Sequence, residues 1–426
     1  MEKICNLDSK PARLESSKTT ETGGLALALL ILLTLILLGC EGQKNFEPSA
    51  LKGKISFNEK LDAKLVASNR YSARFKDGLV LTQDSRWVEL EANEELLFIN
   101  ESEVILTTGC KGINIVSLME GDGGGALGLD RESSLFVETQ NCVVSASKRD
   151  NLVAGVMADN TSFIYDLDSK KIVFREKGES IYAISSLNSQ PLFLDTLVVF
   201  PTLDGRLSTV DLKEFKVVKN IIIGTEKFLG NVIYLKIQGD ELVAATHKRL
   251  YTLIRGESHS MDVEIRDLRF DGKYIYVLSL NGIIYKLDKN LTIEKQVKLP
   301  YASLNALVMR DGFMYTFENR GGFLVKLNLL SFGYEVFKLK SSSSSRATVF
   351  YTDDGLYIDK KLLDFTKGYE VKLIEKKGKS KKEDALESSP PKQESKQENG
   401  QNNGLDSLDS KDKEASPTSP TSPKGT

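Results

Sequence analysis

Between Lys52 and Leu373 the apolar positions come as short β-branched and aromatic runs, LVLT, EVILTT, LVVFPT, ELVAAT, YIYVLSL and FMYTFEN, without amphipathic helical stripes. Runs of about four to eight such residues set between Asp-Gly-like pairs predict the strands of an all-β fold. Two neighbouring stretches show the repeating unit: FDGKYIYVLSLNGIIYKLD (Phe270 to Asp288) and RDGFMYTFENRGGFLVKLN (Arg310 to Asn328). In each, an Asp-Gly pair (Asp271-Gly272, Asp311-Gly312) opens one strand, and a second turn (Asn281-Gly282, Gly321-Gly322) opens the next. Asp-Gly supplies the positive φ angles of a type I′ hairpin, so each unit reads as a meander.

Looser copies carry Asp77-Gly78, Asp150-Asn151, Asp195-Thr196 followed by Asp204-Gly205, Gly239-Asp240 and Asp354-Gly355, with a weak copy near Asn100 to Ser102. First turns then fall near residues 77, 101, 150, 195, 240, 271, 311 and 354. Their mean spacing of about 40 matches the ~40–45 residues of a four-stranded propeller blade. The prediction is a seven- or eight-bladed β-propeller of four-stranded antiparallel blades over residues 51–373. The segment Gly53 to Ala67 is expected to complete the last blade, because closing the ring removes exposed sheet edges.

The ends differ from this pattern. Residues 25–38, LALALLILLTLILL, form the long apolar run of the chain. As a helix it would span roughly 21 Å, short of the ~30 Å hydrocarbon slab, and it suits the h-region of a secretory signal over residues 1–39. Leu37-Leu38-Gly39-Cys40 follows. This tetrad resembles the bacterial lipobox, which implies acylation of the Cys40 thiol and a mature chain beginning there. Residues 40–50 read as a tether. Residues 374–426, rich in Ser, Pro and charge, cannot bury enough apolar area to offset chain entropy and read as a disordered tail.

The 57 basic and 59 acidic side chains leave a net charge of −2, so no general field favours nucleic acid. Two histidines and four cysteines supply little for a metal centre, and neither His247 nor His259 has ligands at metal spacing, so no metal is expected. Gly123-Gly124-Gly125-Ala126-Leu127-Gly128 satisfies G-x-G-x-x-G but lies outside any βαβ context, so no cofactor is expected. No catalytic constellation is visible. With Cys5 in the leader and Cys40 acylated, Cys110 and Cys142 remain, and an oxidising compartment permits them to pair.

A lipobox followed by Asp-Gly turn–strand–Asx-Gly–strand–Leu-Asp units is similar to the bacterial lipoproteins with quinoprotein-like (PQQ-type) repeats. Segments such as Asp204-Gly205-Arg206-Leu207-Ser208-Thr209-Val210-Asp211 and Asn281-Gly282-Ile283-Ile284-Tyr285-Lys286-Leu287-Asp288 carry the likeness. Among them is the propeller lipoprotein of the outer-membrane β-barrel assembly machinery. The resemblance implies a lipid-anchored, non-catalytic scaffold for protein contacts in the cell envelope, at the outer membrane and facing the periplasm, with assembly components as partners. Two alternatives stand beside it. One is a ligand-binding or enzymatic propeller with its site at the channel mouth; the other is a surface adhesin with the tail as spacer.

Overall fold

A computed structural model describes residues 44–120, 125–340 and 347–373. The apolar run, the lipobox Leu37–Cys40, Gly123, Gly124 and the tail lie outside these residues. Hydrogen-bonded strands form eight sheets arranged as successive blades, which settles the expected blade number at eight. Blade 1 contains Leu65–Ser68, Ser72–Phe75, Leu79–Thr82 and Trp87–Glu89. Blades 2 to 7 occupy residues 94–138, 143–177, 192–222, 234–262, 265–298 and 304–339, and blade 8 takes its first three strands from residues 349–364.

The ring closes at two places. Glu59–Lys60 pairs antiparallel with Lys361–Asp364 and supplies the fourth strand of blade 8. Gly53–Ile55 runs parallel to Tyr334–Leu339 on the outside of blade 7 and is itself covered by Val371–Leu373, giving that sheet six strands. The segment expected to complete the last blade is thus shared among three: 53–55 joins blade 7, 59–60 blade 8, and 65–68 opens blade 1.

Alternation along the strands places apolar side chains between blades, so the core is a ring of inter-blade layers. Ala154, Val156 and Ile164 of blade 3 meet Val198, Phe200 and Val210 of blade 4. The closing layer joins Phe350, Tyr357 and Leu362 of blade 8 to Leu65, Ala73, Phe75 and Leu81 of blade 1. Phe163, Phe200, Phe270 and Phe317 are fully buried in such layers, each contributing about 1.5–3 kcal/mol of transfer free energy.

The turns follow the sequence pattern with two departures. Asp311 and Gly312 both have positive φ (50° and 77°), the type I′ requirement. Gly205 and Gly282 (φ 83° and 71°) lie in second turns, where carbonyl oxygens at 2.7 and 2.2 Å leave no room for a Cβ. Asp77-Gly78, read as a first turn, instead joins the second and third strands of blade 1. The true first turn there is Asn69-Arg70-Tyr71, which has no glycine and is held by the Asn69 side-chain oxygen accepting from the Tyr71 and Ser72 N–H groups, both at 2.8 Å. Gly355 is likewise not a turn residue; it begins the strand Gly355–Ile358.

Candidate functional site

The first strand of blade 1 has four residues where those of blades 3 and 7 have seven. Its hairpin tip, Asn69-Arg70-Tyr71, meets blades 5 and 6 across the ring. The Arg70 guanidinium reaches across to the Ile233 carbonyl (2.5 Å) and the Asp267 carboxylate (3.1 Å), and lies over the Tyr234 ring with 5.2 Å to the centroid. From blade 8 the Tyr351 hydroxyl donates to the other oxygen of Asp267 at 2.6 Å. On the opposite side Tyr71 accepts at its hydroxyl from the Gln190 N–H (3.1 Å), and Gln190 donates to the Leu97 carbonyl of blade 2. Blades 1, 2, 5, 6 and 8 and the connection into blade 4 are thus tied across the axis by polar contacts.

Two cavities open beside this tie, and Ser68, Asn69 and Ser186 line both. The larger, about 600 Å³, is bordered by the second turns of blades 5, 6 and 7 (His247, Lys248, Leu280, Asn319) and by inter-blade connections. The other, about 530 Å³, includes Cys110 and Cys142, which form a disulfide between the second turn of blade 2 and the start of blade 3.

Electrostatics inside the larger cavity are uneven. Asp267 is held by Arg70 and Tyr351. Glu264 is left against Lys248 and Arg266, with Arg320 next to Asn319 in the blade 7 turn. Arg266 is the extra residue of a β-bulge, since the pairing of blade 6 skips from Ile265 to Asp267. A bulge re-aims a side chain away from the ladder, here into the cavity. Burial pulls the Arg266 guanidinium below its usual range, and Arg320 pushes the same way. Its Nε is buried without a hydrogen-bond partner, as is Oδ1 of Asn319. The His247 Nδ1–H donates to the Ile265 carbonyl (2.8 Å), and burial lowers the pKa of the ring, with Arg266 and Arg70 adding to the effect.

A second feature borders the cavity. The connections into blades 4 and 5 touch through a parallel bridge between Ala183 and Phe228. Tyr182 and Phe228 project beside it with rings 6.2 Å apart, 78% and 64% exposed, while Leu229 and Leu280 are also exposed. An exposed aromatic pair on a backbone fixed by hydrogen bonds from Tyr182 to Lys227 and from Leu229 to Ala183 has the character of an interface anchor.

The sequence-derived positions fall largely elsewhere. Asp271-Gly272, Asp311-Gly312 and Asp354 lie at first turns, Asp204-Gly205 and Asn281-Gly282 at second turns, and their work is chain reversal. His259 lies in the outer strand Glu257–Asp262 of blade 5. The residues that meet at the channel, Arg70, Arg266, Asp267, Asn319 and Tyr351, escaped sequence reading. One trace was present: a charged pair, Arg266-Asp267, interrupts a strand whose neighbours Ile265 and Leu268 are buried.

No family model matches the chain. In fold it is similar to BamB from Moraxella catarrhalis, at a TM-score of 0.51 and 16% identity, covering 71% of this chain and 96% of that one. It is equally similar to the C-terminal WD40 domain of Sif2, at a TM-score of 0.53 and 10% identity, covering 74% and 99%. These likenesses bear on the propeller fold alone; the count of eight blades comes from the sheets of this chain. Sequence similarity goes further. The plasminogen-binding protein PgbB of Helicobacter pylori strain J99 is 34% identical over 389 residues, covering 79% of this chain and 71% of its own length. The PgbB protein of strain 26695 is 33% identical over 389 residues, covering 79% and 70%. Agreement at that level along most of both proteins establishes kinship, and the chain belongs to the family of the plasminogen-binding protein PgbB.

Proposed function

We propose that the protein is a lipid-anchored, non-catalytic propeller of the cell envelope that binds a protein partner on its second-turn face, and that the partner is plasminogen. The observation that carries this reading is the 34% identity to a plasminogen-binding protein along 71% of that relative. The geometry supports it: Tyr182 and Phe228 offer apolar area on a rigid frame, as anchors of protein interfaces do. Capture of an extracellular protein needs the disk to face outward, so the surface arrangement is favoured over a periplasm-facing one. A role in outer-membrane assembly has likeness of fold alone behind it.

Full-length protein purified in detergent would be passed over immobilised plasminogen. Saturable binding that falls about tenfold or more in Phe228→Ala and Tyr182→Ala is expected, since a truncated anchor costs over ~1 kcal/mol. Absence of saturable binding overturns the choice of partner. For the anchor, Cys40→Ser is expected to lose acylation and membrane partition, because stable attachment needs two or more acyl chains. Protease treatment of intact cells tests exposure: a protected propeller overturns the outward arrangement.

A further inference from the structure

We infer that the 600 Å³ cavity at the channel mouth is a small-ligand site for a carboxylate flanked by an N–H donor, the chemistry of a peptide C-terminus or an N-acylated amino acid. Arg266 receives the carboxylate and Asn319 Oδ1 accepts the N–H.

Four separate observations meet in this cavity. Arg266 is placed there by a bulge, not by the regular ladder. Arg266 is half-buried, and its Nε is buried with no partner, a donor that ordinarily pairs when removed from water. The charged neighbours make the deficit anionic: Lys248 lines the same cavity, while Asp267 is already engaged by Arg70 and Tyr351, leaving Glu264 as the opposing carboxylate. Asn319 Oδ1 is the second orphan, an acceptor, so the ligand must bring a donor as well as a negative charge. The backbone supports the same site. Ala306 lines the cavity at a φ of 69°, within a second pairing irregularity where blade 7 skips from Asn305 to Val308. A non-glycine residue held there is strained, and such strain concentrates where ligands bind.

The volume suits a ligand of this size, since small-molecule sites occupy roughly 300–1,000 Å³. The exposed rim residues Phe228 and Leu229 and the partly buried Leu187 offer apolar contact around the polar pair. The site does not depend on plasminogen: Tyr182, which does not line the cavity, tests the protein partner, and Arg266 and Asn319 test the ligand.

The test uses the full chain and acetyl-diglycine, which has a free carboxylate and neighbouring N–H groups, against acetyl-diglycine amide, acetate and inorganic phosphate. Thermal unfolding and calorimetric titration are the readouts. Acetyl-diglycine is expected to raise Tm and to bind at least about tenfold more tightly than the amide, the usual scale of a charge-assisted hydrogen bond. Arg266→Met is expected to abolish this response while the ligand-free protein melts no lower than wild type, because a partly desolvated guanidinium with an unpaired Nε has been removed. Asn319→Ala is expected to weaken acetyl-diglycine and leave the response to acetate unchanged. Equal binding of acid and amide, a phosphate response as large as that of acetyl-diglycine, or wild-type binding by Arg266→Met overturns the inference. So does an Arg266→Met protein that melts well below wild type, since Arg266 would then be a structural residue.

Discussion

Replacing Arg70 with Met removes the cation that ties blade 1 to blades 5 and 6 while keeping much of the side-chain volume. The Arg70 and Asp267 side chains are 12% and 11% exposed, so the pair is substantially withdrawn from water. Breaking a buried pair by removing one partner costs about 3–5 kcal/mol, because the remaining charge is stranded. Asp267 keeps the Tyr351 hydroxyl at 2.6 Å and the Leu268 N–H at 2.8 Å, and these donors place the cost near the lower end, about 3 kcal/mol. At roughly 2 °C per kcal/mol for a chain of this size, Tm should fall by about 6 °C. The natural probe is Trp87, the one tryptophan of the chain, packed against Phe75 with ring centroids 5.1 Å apart. Urea unfolding followed by its fluorescence gives the free-energy change. Adding Asp267→Asn to Arg70→Met should restore part of the loss, since the stranded charge is gone. A single variant within about 1 kcal/mol of wild type, or a double variant as unstable as the two single losses summed, refutes the idea that the ion pair holds the channel.

Other consequences are open to direct measurement. Burial raises the pKa of Tyr71, Tyr234 and Tyr351 and pushes Tyr276 and Tyr357 up to about 12, so the folded state retains their protons after the unfolded chain has lost them. Their contribution is fully present below about pH 10 and is lost as pH rises toward 12. Phenolate absorbance should therefore lag in the native protein and appear with unfolding; normal titration near pH 10 contradicts the burial. Gly312→Ala meets only its positive φ and should cost about 1 kcal/mol by urea melts. Gly282→Ala also drives a Cβ to 2.2 Å from the Leu299 carbonyl and should cost at least about 2 kcal/mol more, an order that equal losses would deny. Reducing the Cys110–Cys142 bridge, which spans 32 positions, should lower stability by about 3–4 kcal/mol on the chain-entropy account, read as a shift in urea midpoint with and without reductant.

The wheel was legible because its determinants are local and recur. Asp-Gly turns and alternating strands repeat at an interval a reader can measure, and seven of the eight expected first turns bracket the predicted strand pair. The exception is blade 1, where a four-residue strand and the glycine-free Asn69-Arg70-Tyr71 leave no such mark, so that the first Asp-Gly pair in the sequence, Asp77-Gly78, falls one turn later. The channel was not legible for a different reason. Arg70 and Asp267 are 197 positions apart, and Tyr351 is a further 84 beyond Asp267; closing the ring makes them neighbours. The exposed pair Tyr182 and Phe228 likewise lies in two connections that only tertiary packing brings side by side.

The borrowed strand of blade 8 has a consequence for how the molecule is made. Glu59–Lys60 is separated from its partner Lys361–Asp364 by the sequence of seven other blades. This short strand stays unpaired, its edge open, until nearly the whole circumference is in place. Pairings of such long sequence separation are slow to form, and an uncapped edge in the meantime invites association with other chains. Wherever the chain folds, any form lacking Lys361–Asp364 holds an open crescent whose blade 8 edge has no partner, the kind of edge that recruits other chains.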